Sequence, residues 1–201
     1  MKKTLIKTAI VSFISVIAVA LATAGVVSLT APKKMAEFCD GIGLKKASVY
    51  YYRSDYERDR DADKLVALID AADFADDDKT LAEYCTKFVF SSEFNAYCEK
   101  RDAEKSSSSK ISSYDYYCYL AVTSAYAIGN YDTSAETAVK KTDMYDKNCP
   151  LEVAINTAVS ESNREYAAKI KDNYDKYGAG IEDYGLLDGD LEKLNALLAD
   201  E

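Results

Sequence analysis

The chain has 201 residues, with 25 Lys and Arg against 34 Asp and Glu, and it contains no His and no Trp. That length accommodates a membrane segment and one domain of roughly 150 residues or more, enough to bury a core. The missing His excludes Ser-His-Asp and Cys-His nucleophile systems, His-ligated zinc and an imidazole proton shuttle.

Charge is divided by position. Residues 1–34 carry five Lys and no acid, whereas residues 35–201 carry 20 basic and 34 acidic side chains, a net of −14. Phosphate binding needs a basic face, so this balance argues against nucleic acid as a partner. It also opposes a soluble domain lying flat on anionic lipid. Only two Pro and eight Gly, with abundant Ala, Leu, Lys and Glu, favour helix over sheet.

Met1 to Lys7 is a short basic start, and Thr8 to Ala31 is a run of 24 residues without a charge. As a helix rising about 1.5 Å per residue it reaches roughly 36 Å, more than the roughly 30 Å hydrocarbon core. Residues 1–34 therefore read as a transmembrane signal-anchor in contact with the lipid bilayer. A cleavable signal peptide is the competing reading, with small-residue sites at Ala20-Leu21-Ala22 and Ala22-Thr23-Ala24. The apolar run continues past both sites through Val26, Val27 and Leu29, longer than a signal core of about 7–15 residues. Three Lys and the amino terminus on one flank outweigh Lys33 and Lys34 on the other. The positive-inside rule then keeps the N-terminus cytoplasmic and exports the domain.

Residues 35–201 read as one acidic, extracytoplasmic helical domain. Val49, Tyr52 and Tyr56 mark a helix over 47–58. Leu65, Leu68, Ile69 and Ala72 mark another over 62–74, after the polar turn Asp59-Arg60-Asp61. Asp76-Asp77-Asp78 supplies N-caps for a third helix through Leu81, Tyr84, Cys85 and Phe88. A short fourth helix spans 93–101, and Ser106 to Ser109 reads as a linker. Helices resume over 113–128 and 133–145, on either side of a Gly129-Asn130 turn. Pro150 starts a helix over 151–159, and a further one over 163–177 stops at Gly178 and Gly180. Asp188 or Asp190 caps a last helix through Leu191, Leu194 and Leu198. Short loops between helices of this length imply antiparallel hairpins and an all-α fold.

Tyr56, Leu65, Ile69 and Ala72 recur 70 positions later as Tyr126, Ala135, Val139 and Thr142, and Val49 and Tyr52 recur as Tyr119 and Val122. That shift equals about two units of 34–35 residues, a helix-hairpin period. With the segment SAYAIGNYDTSAETAVKK over 124–141, and YERDRDADKLVALIDAA over 56–72, the chain resembles a tetratricopeptide-type helical repeat. The likeness covers residues 46–78 and 116–147, with 79–101 and 150–177 as further hairpins. The resemblance implies an α-solenoid with a partner-binding groove lined by the first helix of each unit. Its groove positions fall at Tyr50 and Ser54 in one unit and at Tyr117, Leu120 and Ser124 in the other. On this pattern Tyr52, Tyr56, Tyr119 and Tyr126 face the core.

Candidate chemistry is sparse. Asp59, Asp61, Asp63 and Asp70 echo a calcium loop, but Lys64 stands where Gly is needed and Asp70 where Glu is needed, so a capped turn is expected. Asp188-Gly189-Asp190 reads as a second capped turn. Ser107 to Lys110 matches an S-x-x-K spacing that four consecutive Ser produce by chance. Cys39, Cys85, Cys98, Cys118 and Cys149 contain no C-x-x-C pair. Buried free thiols are expected, with a disulfide such as Cys85–Cys98 as the alternative in an exported domain. No catalytic residue, metal ligand or cofactor site is assigned. The expected function is a membrane-tethered, non-catalytic module that binds another envelope protein or peptide segment. The alternatives are a binding protein for a small molecule or cell-wall fragment, and a glycan-cleaving enzyme built on two carboxylates.

Overall fold

A computed structural model of the chain describes residues 22, 25–27, 29–104, 111–142, 149–178, 181 and 188–199. Every regular element among them is helical. Most of the expected membrane span, and all of both cleavage sites except Ala22, lies outside the described residues. Among the described residues no helix is long and apolar enough to cross a membrane. The chain forms two compact units, Met1–Ala75 and Asp76–Glu201, so a boundary falls inside the region read from sequence as one domain.

The first unit contains α1 (Pro32–Gly41), α2 (Lys45–Asp59) and α3 (Ala62–Phe74), with α2 packed against both neighbours. Its core is Ala36, Cys39, Val49, Leu65, Val66, Leu68, Ile69 and Ala72. Helix α1 was not expected, because Pro32-Lys33-Lys34 read only as the end of the apolar run. Pro32 instead opens α1, where its missing N–H removes no helical bond. It also drives Ala31 out of the helical region, to φ −142° and ψ 65°.

The second unit contains α4 (Asp78–Val89), α5 (Phe94–Glu104), α6 (Ser113–Ala127), α7 (Tyr131–Lys140), α8 (Pro150–Ser160), α9 (Arg164–Tyr177) and α10 (Asp188–Ala199). Helix α6 packs on α4, α5, α7 and α8, and α7 on α8 and α9. Helix α10 closes the far end against α8 and α9. The hairpins α6–α7 and α8–α9 therefore stack side by side, each covering the apolar face the other exposes.

One turn design joins the helices of each hairpin. A residue in the left-handed region ends the first helix, and an Asp or Asn N-cap opens the second. The pairs are Arg60-Asp61, Gly129-Asn130 and Ser162-Asn163, with φ of 53°, 75° and 53° at the first residue. Each cap side chain accepts from backbone N–H groups of the following turn: Asp61 from Asp63 and Lys64, Asn130 from Thr133, and Asn163 from Tyr166. The reversal ties Asn130 N–H to Ala125 O at 2.9 Å and Asn163 N–H to Ala158 O at 2.8 Å.

These caps correct the repeat register. Asp61, Asn130 and Asn163 stand 69 and 33 positions apart, so the sequence offset of 70 is one residue too long. The slip arises because Arg60 N–H bonds to Tyr56 O four residues back, while Gly129 N–H bonds to Tyr126 O three back. Helix α2 thus runs one residue further before its turn. In the corrected register Val49, Cys118 and Leu151 are all buried, as are Leu65, Ser134 and Ala167. One residue is about 100° of helix rotation. That rotation takes Tyr119, expected in the core, to the surface at 46% exposure, and takes Tyr117 inside.

Candidate partner-binding surface

The five groove positions divide by exposure. Tyr50 stands on α2 with 67% of its surface exposed, its ring edge-on to Tyr51 at 5.3 Å, and Ser54 one turn on is half-buried. In the second unit Tyr117 is wholly buried, and Leu120 and Ser124 are buried with it. These three do not line an open groove. The Tyr117 ring meets Phe88 edge-on at 5.2 Å, and its hydroxyl accepts from Arg101 Nη1 at 2.5 Å. Its carbonyl accepts from the Cys85 thiol at 3.1 Å. Ser124 donates to Leu120 O at 2.6 Å, within its own helix. The outward strip of α6 is instead Tyr116, Tyr119 and Thr123, at i, i+3 and i+7 spacing, with Tyr119 the most open of the three. The N-cap spacing was the signal that would have found it.

Two aromatic clusters hold this surface in place. Phe88 sits at the centre of the first, with Phe94 at 5.2 Å and Tyr97 at 5.4 Å, both edge-on. The second joins Tyr126, Tyr131 and Tyr166, with Tyr126 and Tyr166 centroids 4.7 Å apart. Ser134 donates its one hydroxyl hydrogen to Val122 O at 2.8 Å, so the buried Tyr166 hydroxyl donates to Ser134 Oγ at 2.6 Å. Burial raises the Tyr166 phenol well above its ordinary value. Tyr126 donates to Glu161 at 2.5 Å and accepts from Asn163 at 3.2 Å, and burial, then Glu161, raises it too.

Helix α6 starts on a double cap. Ser112 accepts from Asp115 N–H at 3.1 Å while Asp115 accepts from the Ser112 hydroxyl at 2.6 Å. The Asp102 carboxylate, from α5, accepts from Ser113 N–H at 3.0 Å and from the Ser113 hydroxyl at 2.6 Å.

The remaining candidates are structural. Asp61 is an N-cap, and Asp59 pairs with Lys64 at 2.5 Å, which also lies 3.3 Å from Asp55. The hydrogen bond from Lys64 holds Asp59 below the usual carboxylate range. Asp70 lies within α3, so a calcium-type loop cannot close from Asp59 to it. Asp190 is buried and pairs with Lys193 at 2.6 Å. Among the described residues no group of His, Cys, Asp or Glu is placed to hold a metal. All five cysteines, Cys85 and Cys98 included, are buried thiols outside any disulfide. Burial pushes the Cys118 thiol up to about 12, so it is protonated and inert at neutral pH. The S-x-x-K spacing lies outside the described residues. No family model, curated protein or solved structure matches the chain.

Proposed function

We propose that the chain is a membrane-tethered, non-catalytic helical-repeat module that binds another envelope protein or peptide segment. On this reading residues 8–31 cross the cell membrane once, the N-terminus is cytoplasmic and the helical units stand outside. The open face of α2 in the first unit and that of α6 in the second are then each a contact surface by itself. The observation behind the reading is the repeated hairpin: three hairpins, α2–α3, α6–α7 and α8–α9, each close on a left-handed residue and an Asx cap, with buried positions in register. Such stacks expose long faces suited to an extended or helical partner, and Tyr offers large contact area with a polar tip. The exposed residues Tyr50 and Tyr119 are the contact positions.

The test is a photo-crosslinking residue placed at Tyr50 or Tyr119 in full-length chain, irradiated in intact cells. The reading expects a discrete protein adduct at one or both positions and none at buried Tyr117. Irradiation that yields only uncrosslinked chain at both exposed positions rejects it.

A further inference from the structure

We infer that Arg58 pins the first unit to the end of the apolar segment, so that this unit leaves the membrane braced and not on a free tether. The inference rests on the anchored reading. Ala31 leaves the helical region before Pro32, and Lys34 N–H bonds to Ala31 O at 3.1 Å, one residue short of its α-helical partner Thr30. The last carbonyls of the preceding turn would otherwise lack donors from the protein. Arg58, near the end of α2, donates to them: Nη2 to Leu29 O at 2.6 Å and Nη1 to Thr30 O at 3.3 Å. One planar guanidinium thus holds two successive carbonyls, a geometry that a lysine ammonium on a single nitrogen does not reproduce.

The placement suits a membrane boundary. Leu29 and Thr30 stand just before Ala31, the last residue of the 24-residue uncharged run, and Lys33 and Lys34 follow Pro32. Thr30 returns its own hydroxyl to Val26 O at 2.8 Å, and Ala31 N–H bonds to Val27 O at 2.8 Å, so the turn before the break is otherwise bonded. The break at Ala31 is therefore braced from 28 residues away in sequence.

The experiment uses full-length chain in vesicles of neutral phospholipid, exposed to trypsin, with cleavage after Lys33 and Lys34 followed by mass spectrometry. R58Q is compared with the wild type, R58K and the charge-matched control K46Q, an exposed position on the same helix. Loss of two charge-assisted bonds at an exposed site should speed this cleavage by about fivefold to tenfold in R58Q. R58K should fall between, and K46Q should match the wild type. Equal cleavage rates in R58Q and wild type overturn the brace. Alkaline extraction of the same vesicles tests the anchor separately: chain released from the lipid defeats the anchored reading whatever Arg58 does.

Discussion

The two units solve the same problem with different means. Both tie antiparallel helices through a left-handed residue and an Asx cap. The first unit has an aliphatic core and is laced by cationic side chains. Lys64 bridges Asp55 and Asp59, Lys45 donates to Phe74 O at 2.9 Å while lying 3.8 Å from that ring's centre, and Arg58 holds Leu29 and Thr30. The second unit is filled by aromatic rings, with Tyr117, Tyr166, Phe88 and Phe94 all fully buried. Exposed cationic contacts contribute little each and weaken with salt, whereas buried rings contribute several kcal/mol apiece. Stability should therefore concentrate in the second unit, and adaptability in the first.

The sharpest way to break that contrast is Phe88→Ala. It should cost about 3–5 kcal/mol and lower the melting of the second unit alone, read by hydrogen exchange resolved along the chain. Equal loss of protection in α2 and α3 would erase the distinction between the units. Alkaline titration comes next. The Cys118 thiol is raised from 9.0 to about 12, so its stabilising effect is complete below pH 9 and is lost as pH rises from 9 to about 12. Tyr166 acts in the same direction. Circular dichroism should show the second unit weakening by up to about 1.4 kcal/mol per pH unit per group, and Cys118→Ala should flatten that slope.

Smaller effects test the caps. Asp102→Ala removes the acceptor for Ser113 N–H and hydroxyl and should cost about 1–2 kcal/mol in urea unfolding, with α6 fraying first. Ser162→Gly relieves a left-handed residue and should stabilise the second unit by about 0.5–1 kcal/mol. A neutral or destabilising result would mean that Ser162 is held by more than its turn.

Helix starts were legible because Asp, Asn and Pro announce them chemically: Asp61, Asp77, Asn163 and Pro150 all stand at or beside observed starts. The phase of the repeat was not. Residue types align Tyr56 with Tyr126, but the turns sit at different distances beyond them, and the single-residue slip pairs Tyr50 with Leu120 where the caps pair it with Tyr119. Helix α1 was hidden because Pro both ends one helix and begins the next, and the letters alone do not say which. The Asp102 cap on Ser113 and the Arg58 brace are long-range contacts that local periodicity does not encode. Of the expected groove positions, Tyr50 is exposed on α2. Tyr117, Leu120 and Ser124 are buried, because α6 is covered on more sides than a first-helix pattern implies.

The central claim is that this helical stack is presented from a membrane by residues 8–31. Its most direct test is the intact mass of the protein recovered from the membrane fraction of expressing cells after an alkaline wash. The account predicts a washed membrane fraction holding a chain that still begins at Met1. A chain recovered in the soluble fraction, beginning near Thr23 or Gly25, would contradict it.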